Sequence, residues 1–223
     1  YVESPMLPHA SLLTTELSRR LRTPVANLGI SGYGPEQELV VLKRYALALQ
    51  PKTIVWVFFE GNDLYQLHPE DQEMSAQPEG MASSNEYWMR SLTRNLLLLS
   101  RKAAQGCVPH PDYLRLRGTF QDLEGKDTLL YFWEKLGPLK PTDRLRLERL
   151  RSILGDAYAV SRQQGIRLVV AFAPVKHRVH LGLENFTPLT AEMREWPLND
   201  LPGEVASILA KLAPEIEFLD LTP

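Results

Sequence analysis

Residues Thr53 to Phe59 read Thr-Ile-Val-Trp-Val-Phe-Phe, an almost unbroken apolar run that leads straight into Glu60-Gly61-Asn62-Asp63. Strands that are apolar at every position, and rich in β-branched and aromatic residues, belong in sheets with both faces covered. Helices provide that cover when the sheet is parallel, because each parallel crossover lays a helix on the sheet. Ile166 to Ala173 is a second run of this kind. The spacing around these two runs predicts alternating helices and strands. Leu13, Leu17 and Leu21 recur every four residues and predict a helix with that stripe buried, ended by Pro24. Val25 to Ile30 then predicts a short buried strand, followed by the turn Ser31-Gly32-Tyr33-Gly34. Pro35 suits the first turn of the next helix, Glu36 and Glu38 suit its positive end, and Leu39, Leu42, Ala46 and Leu49 form its stripe.

After Thr53–Phe59 the rhythm breaks. Gln66 to Ser84 is polar and punctuated by Pro69, Pro78 and Gly80, which predicts a loop. Trp88 to Ala104 reads as a helix, and Asp127 to Leu136 as a second helical candidate. The rhythm resumes with Leu147, Leu150, Leu154 and Ala157 on a helix that Gly165 is placed to cap. Leu201, Val205, Ile208 and Leu212 mark a further helix, and Ile216 to Leu221 a last strand. The expected fold class is therefore α/β. It is a three-layer α/β/α arrangement with a flavodoxin-like, mostly parallel sheet and a largely helical insertion.

Bulk composition narrows the function. The chain has 223 residues, 44% of them hydrophobic, with a formal net charge of -2 and no long basic run. Nothing in that charge pattern supports a nucleic-acid partner. Cys107 is the only cysteine, so neither an intrachain disulfide framework nor a multi-thiolate metal site is available. No run is long and apolar enough to cross a bilayer as a helix.

In a parallel sheet, ligands sit beyond the carboxyl ends of the strands. Two such ends stand out. The first is Asn27-Leu28-Gly29-Ile30-Ser31-Gly32-Tyr33-Gly34-Pro35, whose glycines permit positive φ and close backbone approach. The second is Glu60-Gly61-Asn62-Asp63-Leu64, which presents a carboxamide. Backbone N–H groups from the first and the Asn62 amide from the second, aimed at one point, make an oxyanion hole. Simpler roles stand beside these: a tight glycine turn, a capping Asn62, a structural hydrogen bond from Asp63, and packing for Trp56 and Trp133. Ser31 fails the nucleophile-elbow pattern, because Tyr33 occupies its last glycine position. Gly29, Gly32 and Gly34 do not have dinucleotide-fingerprint spacing. The rim loop Pro174-Val175-Lys176-His177-Arg178-Val179-His180 reads either as a solvated basic loop or as a substrate contact through Lys176 and His177.

The pair Asn-x-Gly-x-x-Gly-x-Gly-Pro and Gly-Asn-Asp-Leu, in this order and each after an apolar run, resembles the second and third blocks of the SGNH/GDSL hydrolase superfamily. Close similarity covers roughly Pro24 to Leu64. The resemblance implies that Gly32 donates a backbone N–H, and Asn62 its side-chain amide, to the oxyanion of a serine-type ester hydrolysis. It implies no metal or organic cofactor, and a small-molecule or glycan ester as substrate. A Pro-x-Lys segment like that at Lys176 occurs in relatives that acetylate exported polysaccharides, so O-acyltransfer is a second expectation. Relatives with the Phe-Phe-Glu-Gly-Asn-Asp pattern are often membrane-tethered or exported, which points to the cell envelope and to a tether before Tyr1.

Two elements of that family are absent from the sequence: the Gly-Asp-Ser triplet that carries the nucleophile, and the Asp-x-x-His element that supplies the base. The expectation is a chain cut at both ends. It divides into residues 1–63, a first half-core without its first strand; 64–141, a rim insertion; and 142–223, a second half-core. A degenerate binding domain without a triad is the non-enzymatic alternative.

Overall fold

The computed structural model describes residues 9–67, 116–132 and 137–223. It divides into two compact units. One comprises Tyr1–Asp71, Glu134–Glu184 and Trp196–Pro223, the other Gln72–Trp133 and Asn185–Glu195. The expected helix at Trp88 to Ala104, the loop after Gln66 beyond Leu67, and Cys107 and Trp133 lie outside the described residues.

The first unit has an α/β fold. Its elements are α1 (Leu13–Leu21), α2 (Pro35–Val41), β1 (Thr53–Phe59), α3 (Pro141–Gln163), β4 (Arg167–Ala173), α4 (Lys176–Leu181), α6 (Leu201–Leu212) and β6 (Glu217–Asp220). The three strands form a parallel sheet in the order β1-β4-β6, with Thr53 opposite Arg167 and Val169 opposite Glu217. Phe58 and Phe172 are register partners, and their rings stack 6.0 Å apart at the carboxyl ends of β1 and β4. The core lies between the sheet and α3 and α6: Trp56, Phe58, Val170 and Phe172 pack with Leu150, Leu154, Ala157, Val205 and Leu209. Leu64 and Leu67, which the sequence assigned to the insertion, belong to this core. Helix α3 starts cleanly because Pro141 fits the first turn and the Asp143 carboxylate accepts the Lys140 N–H at 2.8 Å. Gly165, at φ 68, ends it as expected.

Four expectations change in this unit. Val25–Ile30 forms no ladder among the described residues, and most of it is exposed. A strand needs a neighbouring strand to take its backbone groups, and among the described residues no strand pairs with this segment. Among the described residues β1 is therefore an edge strand. Its even-numbered residues face the core, while Val55 on the other face is 52% exposed, so double coverage is reached at β4 but not at β1. In α1 the leucine stripe is not the buried face: Leu13 and Leu21 are exposed and Thr14 is buried. The α2 stripe is only partly buried, since Leu42 and Ala46 are covered and Leu49 is exposed after the helix widens into a π turn and then tightens into a 3-10 turn.

The second unit is β-rich in its described part. β2 (Arg117–Gln121) pairs antiparallel with β3 (Asp127–Tyr131) and with β5 (Phe186–Pro188), in the order β3-β2-β5. A short helix, α5 (Ala191–Arg194), follows, capped by the Thr190 hydroxyl. Asp127–Tyr131 is thus a strand rather than the start of a helix. The turn decides it: the Asp122 carboxylate accepts the N–H groups of Glu124 and Lys126, and Gly125 supplies φ 80. Phe132 and Phe186 are buried and meet edge to face at 5.6 Å.

Candidate active site

The glycine loop is set by local chemistry. Asn27 Oδ1 accepts the Gly29 N–H at 3.1 Å, and the Tyr33 N–H donates to Ile30 O at 3.2 Å, closing a turn over Ser31 and Gly32. Gly32 sits at φ 83, the left-handed value that a type II turn requires at its third position. The turn bond uses the Tyr33 N–H, so the Gly32 N–H takes no part in closing it. The next two bonds start α2: Gln37 Oε1 accepts the Gly34 N–H at 3.2 Å, and the Glu38 N–H donates to Gly34 O at 3.0 Å. Gly32 is exposed, with open space where a side chain would be, whereas Gly34 is buried.

The second loop begins where β1 runs out. The Glu60 N–H donates to Ala173 O, extending the ladder by one residue. The chain then coils: Asp63 N–H reaches Phe59 O at 3.2 Å, and Gln66 N–H reaches Asn62 O at 2.9 Å. Asp63 Oδ2 accepts the Phe59 N–H at 2.7 Å. In the β1–β4 register the N–H groups of even residues face β4, so Phe59 faces the open edge and Asp63 caps it there. Asn62 is half-buried, and its turn is closed through its backbone carbonyl rather than its carboxamide.

These two loops touch. A Cβ placed on Gly34 would lie 2.4 Å from Gln66 Oε1, so only glycine lets α2 start this close to the coil that carries Asn62. Behind the contact is a pair of buried acids. Burial pushes Glu38 up to about 8, helped by the negative charge of Asp63 and opposed by the nearby Trp56 indole. Burial likewise raises Asp63 to about 7, against the Phe59 N–H bond. The Trp56 N–H lies close to Glu38 without completing a hydrogen bond, and Glu38 Oε2 and Gln66 Oε1 are buried without one.

A third rim segment, the loop after β4 and the start of α4, meets the second loop through Glu60. This carboxylate has no solvent exposure and is fully occupied. Arg178 Nη2 and Nε donate to Oε1 at 2.6 and 2.9 Å, while the Val175 N–H and Arg178 Nε reach Oε2 at 3.0 Å each. Lys176 is exposed on this rim. His177 is not: it is 1% exposed, its ring stacks 4.1 Å from Trp196, and burial lowers its pKa. Of the two expected substrate contacts, only Lys176 therefore reaches solvent. His180 Nδ1 lies 2.8 Å from Lys176 O, within its own helix.

Glu38 and Glu60 are buried acids on this rim, and sequence reasoning gave neither such a role. Glu38 passes for an ordinary acid in a helix's first turn. Glu60 carried a signal, an acid directly after a fully apolar strand, but its partner Arg178 lies 118 positions away. Among the described residues no cluster of three or more His, Cys, Asp or Glu side chains could hold a metal, and no helix is long and apolar enough to cross a membrane. No family model, curated protein or solved structure matches the chain.

Proposed function

We propose that the chain carries the oxyanion-binding half of a serine-type ester hydrolase of the SGNH class. The observation that carries the reading is the contact between Gly34 and Gln66. It joins a turn whose Gly32 N–H is not used in its closure to a coil whose Asn62 carboxamide is likewise outside the closing bonds. In this reading a serine hydroxyl attacks the ester carbonyl and the carbonyl oxygen becomes negative. The Gly32 N–H and Asn62 amide stabilise it, the alcohol leaves, and water releases the acid from the acyl-enzyme. The Gly-Asp-Ser and Asp-x-x-His elements that supply the nucleophile and base in that family do not occur in this sequence.

The test is hydrolysis of p-nitrophenyl acetate by the full gene product, with and without Asn62→Ala. Loss of one such donor lowers kcat by about 10²–10³ in hydrolases of this kind, with little change in KM. An active Asn62→Ala variant with unchanged kcat would remove Asn62 from the chemistry. The exposed Lys176 on the same rim favours a second reading, in which a glycan hydroxyl replaces water as acceptor. Adding a glycan acceptor and measuring acyl-glycan against free acid separates the two.

A further inference from the structure

We infer that Glu60 and Arg178 are positioning residues, a buried clamp that fixes the Asn62 coil against the start of α4; this rests on the reading of Asn62 as an oxyanion donor. The clamp reaches four segments of the rim. Glu60 leaves β1, two residues before Asn62, and takes the N–H of Val175 beyond β4. Arg178, on α4, spans both carboxylate oxygens, and its Nη2 also donates to Asn199 O at 2.8 Å and to Asn199 Oδ1 at 3.2 Å. Asn199 in turn donates to Gly137 O at 2.9 Å, ahead of α3, and accepts the N–H of Leu201 at the start of α6.

Stability alone is a poor reason for such a network. Two charges taken out of water lose hydration that their mutual attraction roughly restores, so apolar side chains of similar size serve a core as well or better. What an ion pair with every lone pair occupied supplies is direction: a planar guanidinium fork accepts one carboxylate orientation. The fork lies beyond the carboxyl ends of β1 and β4, where a parallel sheet binds its ligands, and not in the Phe58–Leu154 core. Displacements of about 1 Å in a catalytic donor can lower a rate by about 100-fold.

The decisive variant replaces both partners, Glu60→Met with Arg178→Met, in the full gene product. It keeps the volume and removes the unpaired charge that either single change would leave buried. The expected result is a melting temperature at or above wild type, an unchanged KM for p-nitrophenyl acetate, and a kcat lowered at least about tenfold. Hydrogen exchange at the Asp63 and Gln66 amides, which close the Asn62 coil, should quicken while core amides of β4 do not. Arg178→Lys, which keeps the charge and loses the fork, should not restore kcat. A double variant with wild-type kcat and wild-type exchange at those amides would overturn the clamp. If wild type itself neither hydrolyses nor transfers an acyl group, the esterase reading fails, and the exchange measurement alone decides the clamp.

Discussion

Glu38→Gln should make the protein more stable at neutral pH and leave it almost unchanged in mild acid. Glu38 is held at about 8 by burial and by Asp63, against 4.5 for a free side chain. A carboxyl whose pKa is raised by folding binds more protons in the native state than in the unfolded one. Its contribution is then fully present below the unfolded pKa and is lost as pH rises through the folded value. At pH 7 the unfolded chain ionises this group across 2.5 pH units that the folded chain does not, a penalty of about 3 kcal/mol at 1.36 kcal/mol per unit. At pH 4.5 the same comparison gives less than about 0.5 kcal/mol. Glutamine keeps the size and a neutral polar head, so it removes the penalty without opening a cavity. Asp63 titrates in both proteins, so its own loss of stability between 3.8 and about 7 largely drops out of the difference. Urea unfolding followed by circular dichroism at pH 4.5, 7 and 8 measures the effect. The gap between variant and wild type should widen steadily with pH. Curves separated by the same amount at all three values would refute the argument, because they would show that Glu38 ionises as freely in the folded protein as in the unfolded one.

Gly34→Ala should destabilise the rim, since its Cβ would meet Gln66 Oε1 at 2.4 Å and Gln66 Cβ at 2.9 Å, and adding Gln66→Ala, which removes the first contact but keeps the second, should recover only part of the loss; non-additive unfolding free energies in that cycle test whether the two loops touch. Lys176→Ala in the full gene product should raise KM for an anionic or glycan ester and leave kcat near wild type, as steady-state kinetics would show; an unchanged KM would remove Lys176 from substrate binding.

The elements most legible in the sequence are those whose evidence is local. Thr53–Phe59 and Arg167–Ala173 announce themselves by strongly apolar runs, and α3 by its leucine spacing and the glycine that ends it. The failures share a cause, which is that burial is decided by neighbours distant in sequence. Among the described residues Val25–Ile30 has strand composition but no pairing strand, and Leu13 and Leu21 of α1 have helical spacing but are exposed. Asp127–Tyr131 reads as helix from its own residues because Thr128, Leu129, Leu130 and Tyr131 suit either period, and the Asp122–Gly125 turn that settles the matter lies outside them. In the candidate site, Gly32 and Asn62 were visible because glycine and asparagine at strand ends carry backbone and hydrogen-bond meaning of their own. The Glu60–Arg178 clamp and the Glu38–Asp63 pair were not, because nothing in an acid's immediate neighbours says whether the fold will bury it.

The three-stranded sheet of the second unit is assembled from segments far apart in the chain: the Asn185 amide donates to Gln121 O across 64 positions. During synthesis the hairpin of β2 and β3 emerges well before Phe186 exists. Until then one side of Gly118–Phe120 has no mate and Phe132 lacks the ring it will face. A late, long-range closure of this kind raises contact order and slows folding. The nascent hairpin therefore waits for its third strand until α3, β4 and α4 have left the ribosome, and the completion of the smaller unit is tied to the progress of the larger one.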